Sequence, residues 1–233
     1  MLRPLLVFLN VDLWLALPTA RADVGSDTVS RMTYDRTHWE QLWAKTLREH
    51  PDKVAQRPPN AHLITEVASL RPGRALDAGC GHGAETLWLA AHGWDVTAVD
   101  FSPTALAHAR AMAESAGEDI AQRIVWVESD LGVWAPPHNH FDLVVCLYVH
   151  VAGSLEEMVR RMASGVAPGG TLFMLGHRAL DPATDKPSQV QVSVESAIAA
   201  LDSGSWQLAL AEERPRAVTG PGVDSVILAR RLT

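Results

Sequence analysis

Two spacings of hydrophobic residues alternate along most of the chain. Apolar stripes with residues three and four positions apart predict amphipathic helices, and short continuous apolar runs predict strands. The runs lie at Ala75 to Asp77, Val96 to Val99, Ile124 to Val127, Phe141 to Leu147 and Thr171 to Leu175, with helical stripes between them. Because parallel strands need long crossover connections, this alternation predicts an α/β fold with a doubly wound, mostly parallel sheet.

The last part of the chain departs from this alternation. After a helix predicted at Val194 to Leu201, two strands at Trp206 to Glu213 and Asp224 to Arg230 are separated by a segment without room for a helix. Strands joined in this way pair as an antiparallel hairpin, which we expect at one edge of the sheet.

The first 31 residues contain an apolar stretch that polar residues interrupt. Leu5 to Leu9 is too short to span a membrane, although Ala20 to Ala22 resembles a signal-cleavage site. A secretory signal, a membrane tether and a translation start at Met32 stay open. The predicted organisation is a disordered or loosely packed leader (1–31) and a single domain (32–233) made of N-terminal helices (32–72) and an α/β core (73–233).

Composition narrows the class of partner. Twenty basic and 27 acidic residues give a net charge of -7, the wrong sign for attracting phosphate backbones, so we expect no nucleic-acid partner. The two cysteines form neither a disulfide framework nor a zinc-binding pattern. We therefore predict a reduced, cytoplasmic protein with no metal and no membrane partner; nothing in the sequence indicates its oligomeric state.

A glycine-rich segment, LDAGCGHGAE from Leu76 to Glu85, follows the first predicted strand. Alternating glycines allow positive φ and a close approach of the backbone to a ligand, and the next helix presents N–H groups. Ligands of open parallel sheets bind beyond the carboxyl ends of the strands. This turn is therefore predicted to be a cofactor-binding loop.

Acidic residues at the ends of successive strands favour one kind of cofactor. Asp100 is placed to accept hydrogen bonds from both ribose hydroxyls, and Asp130 from an adenine amino group, with Phe101 and Leu131 flanking the ring. The alternative is that both aspartates are helix caps or turn residues. Asp77 before the first glycine suits a cationic ligand, and G-x-G-x-G differs from the dinucleotide fingerprint, which favours S-adenosylmethionine.

The sequence here resembles the class I S-adenosylmethionine-dependent methyltransferases, most closely the small-molecule branch with thiopurine and tellurite-resistance type enzymes. The runs LDAGCGHGAETLWLAAHGWDVTAVDFS, ESDLGVW, FDLVVCLYVH and APGGTLFMLGH, between Arg74 and His177, look like its successive motifs. The resemblance implies a Rossmann-like fold that binds S-adenosyl-L-methionine. The cofactor residues that it implies are Asp77, Gly79 and Gly81 around the methionine part, with Cys80 between these two glycines, Asp100 at the ribose, Asp130 at the adenine, and Cys146 beside the methyl-transfer face, where Leu147 would also lie.

Candidates for a general base stand at the same end of the sheet. Tyr148 and His150 follow the fourth strand and His177 follows the fifth, and an imidazole titrates near the pH at which proton removal is useful. The alternative is a neutral histidine bonded to backbone. Trp39 and Trp43, on the leading helix, are predicted to contribute to an acceptor pocket if that helix folds over its mouth; core packing is the alternative.

The function that these features predict is methyl transfer to a small-molecule nucleophile through an oxygen, sulfur or nitrogen atom. The alternative is a non-catalytic, S-adenosylmethionine-binding regulatory or partner subunit. A second alternative is a nicotinamide-dependent reductase, which would need G-x-G-x-x-G and a Tyr-x-x-x-Lys pair, and the sequence has neither. His138 and His140 precede the fourth strand, at the opposite end of the sheet, and are predicted to lie in a surface loop.

Overall fold

The computed structural model describes residues 36–149, 154–177, 194–216 and 223–233. The predicted leader lies outside these residues, and the division into leader and domain stays a prediction. In chain order the elements are α1 (Arg36–Glu49), α2 (Pro51–Ala55), α3 (Ala61–Val67), β1 (Arg74–Ala78), α4 (Ala84–Ala91), β2 (Asp95–Asp100), α5 (Pro103–Ala116), α6 (Glu118–Ala121), β3 (Ile124–Glu128), β4 (Phe141–Leu147), α7 (Leu155–Ser164), β5 (Val166–His177), α8 (Val194–Ala199), β6 (Trp206–Pro215) and β7 (Val223–Arg231).

The described strands form one seven-stranded sheet in the order β3-β2-β1-β4-β5-β7-β6. Strands β1 to β5 are parallel, and β7 runs antiparallel between β5 and β6. The strand order reverses at β1, which has β2 on one side and β4 on the other, and such a reversal opens a crevice at the carboxyl ends of the strands. The predicted doubly wound sheet with a C-terminal antiparallel pair is confirmed.

Apolar side chains cover both faces of the central strands. Val144 on β4 packs in one cluster with Met158 and Met162 of α7, whereas the next residue, Val145, packs in the other cluster with Leu89 of α4. Strands buried on both faces need apolar residues at nearly every position. This explains why Leu143 to Leu147 of β4 form a continuous apolar run rather than an alternating one.

Several helices begin at the residues that the sequence indicates. The Ser102 hydroxyl accepts a hydrogen bond from the Ala105 amide at the start of α5, and Ser154 accepts from Glu157 at the start of α7. Such side-chain oxygens satisfy amides that have no partner within the helix. The capping residues therefore fix where these helices start relative to the strands before them.

Three features differ from the sequence prediction. Helices α2 and α6 were not predicted, because segments of five and four residues are too short to show a helical period. Strand β5 begins at Val166, five residues before the apolar run predicted at Thr171, and so includes the Pro168 to Gly170 segment. The register between β4 and β5 shifts between Phe141 and Leu143, opposite this segment, and this shift accommodates its irregular backbone.

The described part of the chain contains no helix that is both long and apolar enough to cross a membrane. It also contains no group of three or more His, Cys, Asp and Glu side chains that could hold a metal ion. The histidines of the loop before β4 lie away from the crevice, with His140 beside Arg74 at the amino end of β1.

Candidate functional site

A cavity lies at the carboxyl ends of β1, β2 and β4, where the strand order reverses. The glycine-rich loop contributes Asp77, Gly79, Cys80 and Gly81 to its wall, and the turns after β2 and β3 contribute Asp100, Phe101, Asp130 and Leu131. The structure thus brings together eight of the nine residues predicted to bind the cofactor. Their individual roles stay predictions.

Two glycines of the loop have conformations and neighbours that exclude a side chain. Gly79 has φ +81°, and a Cβ atom there would lie 2.6 Å from Cγ2 of Val149. Gly81 has φ +50°, and its Cβ atom would lie 2.9 Å from Cζ2 of Trp43. Residues with side chains rarely adopt such φ values, and contacts this short require the neighbours to move. The loop therefore needs glycine at both positions.

The amides of this loop donate within the protein. Gly79 and Cys80 donate to the carbonyl oxygen of Val99, at 2.8 and 3.1 Å, and Gly81 donates to Oδ2 of Asp100 at 2.9 Å. The other oxygen of Asp100 accepts from the Ser102 amide, also at 2.9 Å. Asp100 is thus a turn residue that also lines the cavity. Each of its oxygens accepts one of these bonds and has a second lone pair.

Asp77 lies at the base of the cavity and is nearly inaccessible to solvent. Its Oδ2 accepts a hydrogen bond of 2.5 Å from the Thr86 hydroxyl. Burial raises its pKa to about 7, and the charges of Glu85 and Asp100 add to that increase. The pKa of Asp100 is also raised by burial, against hydrogen bonds that lower it. A cation in the cavity would relieve this repulsion between carboxylates.

The sequence analysis missed Glu85 and Arg57. Glu85 accepts a hydrogen bond of 3.0 Å from the Asn60 amide, and burial raises the pKa of its carboxyl group. Arg57 is the cation among the described residues that line the cavity; burial lowers its pKa, and the charge of Glu85 opposes that change. The only sequence signal for Arg57 is its position immediately before the pair Pro58-Pro59.

The first described helix forms one wall of the cavity. Trp39 and Trp43 both line it, and the ring of Trp43 lies 5.7 Å from that of His82. Burial lowers the pKa of His82 to about 3, so its imidazole is neutral. Glu40 holds α1 in place because it accepts hydrogen bonds from the hydroxyls of Ser102, at 2.5 Å, and Thr104. The contribution of the two tryptophans to acceptor binding stays a prediction.

The described residues include two of the three candidates for a base, Tyr148 and His177. Tyr148 lines the cavity, whereas His177 is absent from the described lining, and His150 lies outside the described residues. Burial raises the pKa of Tyr148, and the hydrogen bond that it donates to Asp224 raises it further. A phenol held in this way is poorly suited to remove a proton.

Cys146 and Asp130, both predicted to bind the cofactor, differ in their relation to the cavity. Cys146, expected beside the methyl-transfer face, is buried in the core and is not among the residues that line the cavity, whereas Leu147 is. Successive side chains of a strand point to opposite faces, so only one of the two reaches the crevice. Asp130 is exposed and its Oδ1 accepts a hydrogen bond of 2.7 Å from Gly132, so it is a turn residue beside the cavity.

Comparisons with known proteins agree with this architecture. Residues 75–170 match the family model of the methyltransferase domain. A ubiquinone biosynthesis O-methyltransferase of Xanthomonas campestris pv. campestris (strain B100) is 34% identical over 122 residues, which are 52% of this chain and 49% of that protein. Thiocyanate methyltransferase 1 of Arabidopsis thaliana is 28% identical over 195 residues, which are 82% of each chain.

Among solved structures, the N-methyltransferase NodS of Bradyrhizobium japonicum WM9, in complex with S-adenosyl-l-homocysteine, has a TM-score of 0.63. Its sequence is 20% identical to this chain, and the match covers 84% of this chain and 99% of NodS. The chain spans about half the length of the curated relatives that it matches first.

The sheet order, the carboxylate-lined cavity at its reversal and the matched family model define a class. Over residues 75–170 the chain is similar to a methyltransferase domain, and its fold agrees with the class I, S-adenosylmethionine-dependent type. The resemblance inferred from the sequence is thereby confirmed.

Proposed function

We propose that the protein binds S-adenosyl-L-methionine in this cavity and transfers its methyl group to a small-molecule nucleophile. The observation that carries the proposal is the charge of the cavity wall: Asp77, Glu85, Asp100 and Asp130 face one cation, Arg57, among the described lining residues. S-adenosylmethionine carries a sulfonium, an amino group and one carboxylate. Its two positive groups and single negative group complement a wall of this composition.

The positions of the carboxylates suggest how the cofactor is held. Asp100 would accept from the ribose hydroxyls, and Asp130 would accept from the adenine amino group with Phe101 and Leu131 beside the ring. Asp77 would face the amino group, and Arg57 would neutralise the carboxylate. This arrangement directs the methyl group toward the side of the cavity formed by α1 and the end of β4.

That side of the cavity suits a small acceptor with apolar surface. Trp39 and Trp43 face it from α1, and Leu147, Tyr148 and Val149 face it from the end of β4. Aromatic side chains bind flat apolar groups by contact rather than by charge. Both curated relatives described above are named as methyltransferases of small molecules, which supports an acceptor of this kind. Alignment of the nucleophile with the methyl group would supply much of the rate.

Titration calorimetry with S-adenosylmethionine and S-adenosylhomocysteine tests the cofactor assignment. We expect saturable binding that falls by about a hundredfold or more in Asp100→Ala, because the ribose loses its acceptor and the Gly81 and Ser102 amides lose theirs. Asp119→Ala, which removes an exposed carboxylate on α6, serves as the control. Undiminished binding to Asp100→Ala would refute the assignment of the site.

A turnover assay distinguishes a catalytic methyltransferase from a non-catalytic subunit that only binds the cofactor. The wild-type protein is incubated with S-adenosylmethionine and a panel of a thiol, a phenol and an amine, and S-adenosylhomocysteine is measured. We expect acceptor-dependent release of S-adenosylhomocysteine with at least one member. Tight cofactor binding with no turnover against a broad panel would favour the subunit.

A further inference from the structure

A polar cluster lies behind the cavity wall at the antiparallel end of the sheet. Because β7 runs opposite to the parallel strands, its first residues stand at the edge where β4 and β5 end. Asp224, at the start of β7, is fully buried there. Its Oδ2 accepts a hydrogen bond of 2.7 Å from the Tyr148 hydroxyl. This places a buried carboxylate directly behind a residue that lines the cavity.

The other oxygen of Asp224 also faces donors. Nδ1 of His177 lies 3.1 Å from Oδ1, and Nε of Arg216 donates to the same oxygen at 3.4 Å. Nη2 of Arg216 lies 2.9 Å from the same His177 nitrogen, which can either donate to Asp224 or accept from Arg216. In both tautomers Oδ1 has a donor.

These contacts keep Asp224 charged and Tyr148 neutral. Burial acts to raise the pKa of Asp224, but the hydrogen bonds from His177 and Tyr148 and the charge of Arg216 bring it below its ordinary value. The pKa of Tyr148 is raised by burial and by that carboxylate. Asp224 itself does not line the cavity. Any effect it has on a bound molecule therefore passes through Tyr148.

The backbone of Tyr148 is held as firmly as its side chain. Tyr148 has φ +53°, a left-handed conformation that residues with side chains rarely adopt. Its amide donates to the carbonyl oxygen of Leu175 at 2.7 Å, and its ring lies 4.4 Å from that of His177. A strained residue persists only where its surroundings fix it, and such residues concentrate at functional sites.

We propose that Asp224 is a positioning residue that holds the Tyr148 ring as a fixed wall of the acceptor side of the cavity. His177 and Arg216 hold Asp224 in turn, so these two residues act through Asp224 rather than on the acceptor. Tyr148 then selects acceptors by shape and is not a base. This inference rests on the proposed function only in calling that side of the cavity the acceptor side.

A double-mutant cycle with Asp224→Asn and Tyr148→Phe tests the proposal. If Asp224 acts through the Tyr148 hydroxyl, either variant alone raises the acceptor KM, lowers kcat/KM by about tenfold, and leaves kcat largely intact. In the Tyr148→Phe background, Asp224→Asn then changes kcat/KM by less than about twofold. Equal effects of Asp224→Asn in both backgrounds would overturn the proposal.

The single variant Tyr148→Phe keeps the test decisive if Asp224→Asn does not fold. An unchanged acceptor KM in Tyr148→Phe contradicts the proposal, and so does a loss of turnover with unchanged KM, because that loss would indicate a base. Asp119→Asn is the matched control, since it makes the same chemical change on the exposed surface of α6.

A readout without acceptor separates this proposal from the proposed function. The chain has two tyrosines, so Tyr34→Phe leaves Tyr148 as the only phenol, whose ionisation is followed by its near-ultraviolet absorbance. We expect Tyr148 to resist ionisation well beyond an ordinary tyrosine in this protein and to ionise at lower pH after Asp224→Asn. Identical titrations would show that the two side chains are not coupled, whether or not the protein transfers methyl groups.

Discussion

The two sides of the cavity are built in different ways. The carboxylate side consists of Asp77 near the end of β1, Asp100 at the end of β2 and Asp130 in the turn after β3. The aromatic side, with Trp43 and Tyr148, is assembled from α1, the end of β4 and the buried start of β7 behind it. Strand order alone brings the first set together. The second set depends on contacts between elements that are distant in the sequence.

Gly79→Ala should have the largest effect on stability and cofactor affinity. Gly79, in the loop of the carboxylate side, lies against Val149 at the end of β4 on the other side. A methyl group there meets Val149 at 2.6 Å in a backbone with φ +81°. We expect a loss of about 3 kcal/mol in unfolding free energy, from about 1–2 for the backbone conformation and about 1–3 for overpacking. Urea unfolding measures the first effect, and calorimetry measures the accompanying loss of cofactor affinity.

Gly93→Ala is the matched control for this substitution. Gly93 has φ +89°, but a Cβ atom there would meet only Pro72, at an ordinary 3.7 Å. The control should therefore lose only the part due to the backbone, about 1–2 kcal/mol, and keep its cofactor affinity. Equal losses in the two variants would mean that the contact between the two sides is not tight.

Asp77→Asn tests the carboxylate side alone. Removing the charge should weaken S-adenosylmethionine binding by about tenfold to a hundredfold, since a charged hydrogen bond is lost. The free protein should become more stable, because the buried carboxylate no longer repels Glu85 and Asp100. Calorimetry and urea unfolding together measure these opposite changes. A variant that loses stability would contradict the repulsion inferred for this side.

The same residue gives the site a pH dependence. The pKa of Asp77 is raised to about 7 in the folded protein, above the value of about 3.9 for an unfolded chain. The contribution of Asp77 to stability is therefore complete below about pH 4 and is lost as the pH rises through about 7. Cofactor affinity should change in the opposite direction and rise with pH up to about 7. Both trends should be smaller in Asp77→Asn, where Glu85 and Asp100, whose pKa values are also raised, still titrate.

Trp43→Ala tests the aromatic side. Loss of the indole that packs over Gly81 should raise the acceptor KM by about fivefold to tenfold, as expected for one buried aromatic contact. Initial-rate kinetics with varied acceptor measure the change. The control is Trp88→Ala, a tryptophan on α4 that stacks on His92 outside this cavity. If both variants changed KM equally, the aromatic side would have no special part in acceptor binding.

Glu40→Gln should have the smallest effect, because it weakens the attachment of α1 without removing the wall. The carboxylate accepts hydrogen bonds from Ser102 and Thr104, and an amide keeps only part of them. We expect a loss of about 1 kcal/mol or less in unfolding free energy, and a KM change of about twofold. Glu49→Gln, at the exposed far end of α1, should change neither quantity.

The sequence was informative about the carboxylate side and much less so about the aromatic side. Asp100 and Asp130 could be located because they end apolar runs in a predictable strand order. Asp224 could not, because only the direction of β7 shows that its first two residues lie at the edge where β4 and β5 end. Cys146 and Leu147 were both predicted beside the methyl-transfer face, but only Leu147 lines the cavity, because an apolar run does not reveal which face each side chain takes.

The bond from the Gly81 amide to Asp100 has a consequence for how this protein can change. The carboxylate proposed to recognise the ribose also fixes the shape of the glycine-rich loop. A substitution that adapts this end to another cofactor therefore disturbs the loop at the same time, and two functions must be restored together. On the aromatic side, Trp43 packs on the loop at Gly81, but the hydrogen bonds described for Tyr148 go to Leu175, Asp224 and Asn60 and do not reach the loop. New acceptors are accordingly easier to evolve or engineer in this protein than new cofactors.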